Sequence, residues 1–572
     1  MRPLRKHLVW VLVCALMACT PPCFASAAAE DVQTIHILGS ESKTLTLEEA
    51  MTTKTYAALE EMFLQKGIRL DITSVPDDQY ATVLQATLAS GKLPDFFDAS
   101  FLDAPSCVNL IKAGKVKSID DLLAHSDGTA SFAFSEDGYY SVCREKDTFE
   151  DGKLYYFGNV SMLVSVDEAP FGLHNVTANT FLMKIRKDWL DKLDLPVPTT
   201  LDEYFDALVA FREQDANGNG VADERMVIQT VTCDSGWGGF FDNGIAQWFG
   251  LANYVFQLDR STWKVEVPFL QEGFVPYVEF LKKCVDAGVL YLGDNVGKGD
   301  ANLTSLLAQD VAGSYFYTAH MDMSDGGDGV AANDAWIALP VIQPLPDITP
   351  SLDASRGYKS WNYWAFSSAV DAELAAKFLD VVSSIDYSKW YSFGGIEGET
   401  YTVEDGMYRY IGPNTKEDYL STGYCRGSAI ADGGCLPNPT LEAYYADYKG
   451  ERLLFSSYDA FLDSSYFNEY FSGTCSEQQL YNLKVYLDMA QKLNRYNQNA
   501  DIGMLVPMAT AEEAEIIDMY RADLYTYMDE LFGNLISGSW PIEDMDSYVE
   551  QLYALGLQEM IDVYQAQFDR VK

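Results

Sequence analysis

Between Thr34 and Ser100, strand and helix signals alternate with a single helix between successive strands, and this spacing restricts the fold more than any other feature. Thr34–Leu38 (TIHIL) reads as a strand, and Lys54–Lys66 (KTYAALEEMFLQK) as an amphipathic helix closed by Gly67. Ile68–Val75 (IRLDITSV) alternates as a strand does, Asp78–Ser90 is helical up to Gly91, and Phe96–Ser100 (FFDAS) follows Pro94-Asp95 as a third strand. Parallel neighbours need a long crossover, so this order predicts βαβ units and a parallel sheet. An open α/β enzyme domain would show the same pattern. In such sheets ligands bind beyond the carboxyl ends of the strands, which makes Asp98, Ser100 and Phe101 candidates.

A second unit begins near Thr180. Phe181–Ile185 is a short strand, and a helix starts at Lys187. Thr200 and Glu203 have the capping-box spacing, after which Leu201, Tyr204, Phe205, Leu208 and Phe211 share one helical face. From Glu512 to Lys572 the periodicity is helical, with breaks expected at Gly533, Gly538 and Pro541. With 572 residues, 48% of them hydrophobic, the chain can fill the cores of two or more lobes.

The N-terminus reads as an export signal. Arg2, Arg5 and Lys6 precede the apolar run Leu8–Ala18 (LVWVLVCALMA), which is too short to span a bilayer. Two cleavage sites fit. Leu16-Met17-Ala18-Cys19 resembles a lipobox, making 1–18 the signal and Cys19 the lipidated residue. Ala25-Ser26-Ala27 would make it 1–27. The lipobox places the mature protein outside the cell, anchored to the outer face of the membrane, with no other membrane contact.

A formal charge of −44 repels phosphate backbones and argues against nucleic acid as a partner. Beyond the signal the cysteines form no C-x-x-C pair, leaving a Cys425–Cys435 bridge or buried free thiols. The five histidines include no H-E-x-x-H, and no catalytic signature stands out.

One motif carries sharp chemistry. Asp215, Asn217 and Asn219 stand at positions 1, 3 and 5 of a loop with Gly220 at position 6, followed by Val221, Asp223 and Glu224. This is the first half of a calcium loop, offering six oxygen donors if the Val221 carbonyl is counted. Its twelfth position is Met226 rather than Glu, so adjacent Asp223 and Glu224 would close the sphere. The alternative is a solvated Asn/Gly turn.

Ile185–Leu193 (IRKDWLDKL), Val197–Glu203 (VPTTLDE) and the Asp215–Glu224 loop, taken in that order, resemble the extracellular solute-binding proteins, family 1, of ABC transporters, particularly the long lipoprotein members. Ser90–Asp95 (SGKLPD), Phe393–Gly398 (FGGIEG), Tyr401–Gly406 (YTVEDG) and Tyr548–Leu552 (YVEQL) extend the likeness over nearly the whole mature chain. Calcium-carrying alginate- and oligosaccharide-binding relatives have a similar loop. The resemblance implies structural Ca²⁺ held by Asp215, Asn217, Asn219, Val221, Asp223 and Glu224. It also implies an α/β, two-lobed periplasmic-binding-protein-like clamp with several hinge crossovers and a helical C-terminal part. Residues 28–170 plus 360–395 would form the N-terminal lobe, and 171–359 plus 396–572 the C-terminal lobe. Crossovers are expected at Phe157–Thr180, near Tyr358 and near Gly395.

The function so implied is the capture of a carbohydrate, an oligosaccharide above all, by hinge closure for the permease subunits of an ABC importer, as a monomer without catalysis. Sugars offer flat C–H faces to rings and hydroxyls to polar groups. The expected cleft residues are therefore Asp98, Phe101, Trp237, Phe240, Tyr317, Trp361 and Asn362. For any single aromatic a core position is the competing reading. Two other functions fit the composition: a secreted glycoside hydrolase, and a surface lipoprotein presenting ligand to a sensor.

Overall fold

The computed structural model describes residues 32–158, 181–228, 241–292, 305–318, 335–351, 363–437 and 506–572, less a few short gaps, together with 233, 481 and 485. The strands are β1 (Gln33–Ser40), β2 (Ile68–Val75), β3 (Phe96–Asp98), β4 (Phe181–Arg186), β5 (Arg225–Val227) and β6 (Gln257–Asp259). They continue with β7 (Lys264–Glu266), β8 (Ala312–Thr318), β9 (Trp336–Ala338), β10 (Trp364–Phe366), β11 (Tyr401–Glu404) and β12 (Met407–Tyr410). They form two four-stranded sheets and two hairpins, so the expected α/β class is borne out.

The first sheet has the order β10-β3-β1-β2. The three early strands are parallel, and β10, some 260 residues after β3 in the sequence, joins antiparallel to it. Helices Lys54–Leu64 and Asp77–Ser90 make the crossovers, and Gly91 stops the second at φ 71°. Phe96 is the hub of one face. Its ring stacks on Trp364 at 4.9 Å and lies 4.6 and 4.7 Å from Phe366 and Phe378. Each such buried ring contributes about 1.5–3 kcal/mol of transfer free energy.

Helices Ala372–Val382 and Ile385–Phe393 pack on this core. Helices Lys416–Thr422 and Ser428–Ala431, grouped by sequence order with the second lobe, pack there as well. Tyr419, Cys425, Ile430 and Leu436 are buried beside Phe63 and Trp390, and the Lys54 N–H donates to the Gly423 carbonyl at 2.7 Å.

The second sheet, β5-β8-β4-β9, carries helix Leu201–Glu213. The capping box of Thr200 and Glu203 forms as predicted and fixes where the helix starts. Tyr204, Leu208 and Phe211 are buried, with Leu201 and Phe205 at the margin. The Tyr204 hydroxyl lies 2.7 Å from Ser314 Oγ, which donates to the Lys184 carbonyl at 2.6 Å. Gly313 is needed here, because a Cβ would come within 2.8 Å of Phe211 and 3.0 Å of Trp189.

Helix Ala511–Ser537 packs on both Ala104–Lys112 and Phe274–Asp286. It ends at Gly538 as expected, yet runs straight through Gly533. Leu531, Phe532, Leu535 and Ile536 are all buried around that glycine, and their packing outweighs its roughly 1 kcal/mol helix penalty. Cys107, Cys143, Cys233, Cys284, Cys425 and Cys435 are all buried, and no disulfide joins Cys425 to Cys435. Among the described residues no helix is long and apolar enough to cross a membrane. All of the expected Phe157–Thr180 crossover but 157–158 lies outside the described residues, as do the one near Tyr358, the signal segment and Cys19.

Candidate functional site

The chain passes to one side of β1 to form β2 and to the other side to form β3. Where the winding reverses, an open α/β sheet leaves a crevice at the carboxyl ends of the two diverging strands, here β1 and β3. The Tyr80 hydroxyl sits 3.0 Å from the Leu38 carbonyl and 2.9 Å from the Asp98 carbonyl, tying the two strand ends together. Asp98 is 1% exposed. Its Oδ1 accepts from the Ser100 N–H at 2.9 Å and from the Ser100 hydroxyl. Ser100 Oγ in turn accepts from the Tyr363 N–H at 2.8 Å, and the Tyr363 hydroxyl donates to Asp147 at 2.7 Å. Burial pushes the Asp98 carboxyl up to about 7; the two Ser100 bonds oppose this and the nearby Asp77 charge adds to it.

Phe101 is 38% exposed, its ring 4.9 Å from that of Tyr80. Ser40, the last residue of β1, has a buried hydroxyl with no partner among the described residues. The strand ends thus gather hydroxyls, a carboxyl group and an exposed ring, the mixture that sugar hydroxyls and C–H faces require. Sequence reasoning named Asp98, Ser100 and Phe101 but missed Ser40 and Tyr80. A serine closing a strand and a tyrosine on a helix face carry no signal until the sheet order is known.

The other candidates divide. Trp237, Phe240, Trp361 and Asn362 lie outside the described residues. Tyr317 stands in β8 opposite Leu182, its side chain outside what is described. Neighbours from the same aromatic clusters belong to the core: Phe241 packs against Phe269 and Phe532, Tyr315 meets Trp336 edge-on at 4.5 Å, and Trp364 stacks on Phe96.

The Asp215–Glu224 loop leaves its helix with Asp215 at φ 51°, followed by Gly218 and Gly220 at 77° and 82°. The Asp215 carboxylate accepts from the Gly220 N–H at 3.0–3.1 Å. Asn217 Oδ1 accepts from the Asn219 N–H at 3.0 Å, and Asn219 Oδ1 from the Val221 N–H at 2.7 Å. Both asparagine amides donate to Asp223 at 3.0–3.2 Å. Glu224 is wholly buried; Oε1 accepts from the Asn217 N–H at 3.1 Å, while Oε2 has no partner among the described residues. Among the described residues, no three His, Cys, Asp or Glu side chains cluster closely enough to hold a metal by themselves. The loop's donors fit a hard cation only as a mixed set of carboxylate, amide and carbonyl oxygens, and the orphaned Glu224 oxygen is the feature that asks for one.

No protein-family model matches the chain. Lipoprotein LipO of Bacillus subtilis is 22% identical over 61% of this chain and 65% of its own length. The fructooligosaccharide ABC transporter substrate-binding protein FusA of Streptococcus pneumoniae is 29% identical over 32% of this chain and 35% of its own. The alignments thus span less than two thirds of these relatives. In structure, FusA in complex with kestose superposes with a TM-score of 0.68 at 19% identity, covering 94% of this chain and 99% of that one. An EF-hand mutant of FusA has also been solved with fructo-nystose and gives a TM-score of 0.69. Alginate-binding protein AlgQ2 without calcium ion gives 0.60 at 17% identity, over 94% and 98% of the two chains. The resemblance read from the motifs is borne out: the chain has the fold of the extracellular solute-binding proteins of ABC transporters and is similar in sequence to members of that group.

Proposed function

We propose that this chain is the extracellular substrate-binding component of an ABC importer, taking up an oligosaccharide by hinge closure and performing no reaction on it. The observation that carries the reading is the switch point between β1 and β3, where Ser40 closes β1, Asp98 closes β3, and Ser100 and Phe101 follow it. The names of the relatives supply the ligand class, a fructooligosaccharide for FusA and alginate for AlgQ2. Trp237, Phe240, Tyr317, Trp361 and Asn362 complete the proposed cleft. The two lobes, joined through segments before β4 and before β10, close over the sugar, and the transporter reads the closed state. Cys19 supplies the lipid anchor on the outer face of the membrane, and the protein works as a monomer.

Calcium is proposed for the 215–224 loop. Asp215, Asn217, Asn219, the Val221 carbonyl, Asp223 and Glu224 would hold it, and its charge would relieve three carboxylates confined to ten residues. The role is structural: the loop connects helix Leu201–Glu213 to β5 at the edge of the second sheet.

A thermal-shift screen of the mature protein against fructo-, algino- and galacturono-oligosaccharides tests the main reading. A ligand at 100 times its Kd adds about 2.7 kcal/mol, and the stabilising sugar should be recovered intact. Sustained release of reducing ends by pure protein would establish a hydrolase instead.

A further inference from the structure

We infer that Lys192 is a positioning residue for the 215–224 loop, holding its entry so that the oxygen donors are set for a divalent cation before one arrives. The inference rests on the calcium reading of that loop. Helix Leu201–Glu213 finishes with the Ala216 N–H bonded to the Phe211 carbonyl at 3.0 Å, which requires the left-handed backbone found at Asp215. Glycine usually fills that place, because a side chain there is disfavoured. Something must therefore hold Asp215 in it. The turn presents the carbonyls of Asp215 and Ala216 to Lys192, whose Nζ donates to them at 3.3 and 2.7 Å. Lys192 ends the short helix Lys187–Lys192, anchored through buried Trp189 and Leu190, so its stem starts from a fixed point.

The other side of the loop is held by the same stretch of chain. Arg186 stacks on Trp189 at 4.2 Å and pairs with the Asp310 carboxylate. The Asp310 carbonyl accepts from Asn217 Nδ2 at 3.0 Å. That bond, with the one to Asp223, determines which end of the Asn217 amide is its oxygen. Lys192 thus holds the loop entry directly, while Arg186 acts on Asn217 only through Asp310. An ammonium group offers no lone pair to a cation, so Lys192 cannot be a ligand; what it supplies is order. If that order were absent, cation binding would have to supply it, and the apparent affinity would fall by the fraction of protein with the loop formed.

The test compares wild type, Lys192→Met and Lys192→Arg. Calcium Kd is read by competition with a chromophoric chelator, and unfolding midpoints are taken in EGTA. Lys192→Met should raise the calcium Kd about three- to tenfold, the scale of one or two hydrogen bonds of ordering, with the EGTA midpoint about 1–3 °C lower. Lys192→Arg, which restores a long donor, should recover most of the affinity. Loss of a repelling charge alone would tighten binding, so an unchanged or lower Kd in Lys192→Met overturns the positioning role and leaves the calcium site standing. A wild type that binds no calcium overturns both.

Discussion

Replacing Asp98 with Asn should make the protein more stable at alkaline pH than at acid pH, relative to wild type. The carboxyl is 1% exposed, and burial raises it from 3.8 to about 7. Between those values the folded chain keeps a proton that the unfolded chain has released. Stability from this group is therefore complete below about pH 4 and is lost as pH rises through about 7. At 1.36 kcal/mol per pK unit, the loss between pH 4.5 and pH 8 is up to about 3 kcal/mol. Asn keeps an Oδ1 acceptor for the Ser100 N–H and hydroxyl, so the turn at the strand end survives. At pH 4.5 the wild-type carboxyl is itself uncharged, so Asn exchanges one neutral acceptor for another and should be neutral or slightly destabilised. At pH 8 it gives up the stronger bonds of a charged acceptor, about 1 kcal/mol, which trims its gain there. Guanidinium unfolding of ligand-free wild type and Asp98→Asn, followed by tryptophan fluorescence at both pH values, reads the difference. The Asn variant should gain about 1–3 kcal/mol on wild type between the two. A difference that does not move with pH would mean that Asp98 is charged throughout, and the account of the strand end would fall.

Chelation should lower the unfolding midpoint and calcium should restore it better than magnesium, since a mixed oxygen cage suits the larger ion; Glu224→Gln, which keeps an acceptor for the Asn217 N–H, should abolish the response in the same calorimetric scan. Phe101→Ala should weaken glycan binding by about 1 kcal/mol or more in titration calorimetry while costing little stability, because the ring is partly exposed and rests on Tyr80 alone among the described aromatics. Phe96→Ala should cost about 3–5 kcal/mol in denaturant unfolding, since it empties the centre of a four-ring cluster.

What was legible in the sequence was whatever a short window decides. β2 spans the predicted Ile68–Val75, the Thr200 capping box forms, and Gly91 and Gly538 stop their helices in left-handed conformations, because period, cap and stop signal are all local properties. The misses depend on partners far away in sequence. Gly533 is a helix breaker only where packing does not hold the helix together, and here four buried neighbours do. Helices Lys416–Thr422 and Ser428–Ala431 follow the second sheet in the chain but pack on the first core, where the Cys425 backbone exchanges hydrogen bonds with the Thr55 hydroxyl 370 positions earlier.

The candidate site obeys the same division. Asp98, Ser100 and Phe101 were readable because the end of a strand is a local event. The crevice itself exists only because β2 and β3 flank β1 on opposite sides. Tyr80 becomes part of the site only through that order, since its hydroxyl spans carbonyls of two strands that no spacing rule places together. Replacing Tyr80 with Phe would remove this tie while keeping the ring against Phe101. It therefore separates the two contributions: glycan affinity should fall if the position of the strand ends matters, and should be retained if only the exposed ring does.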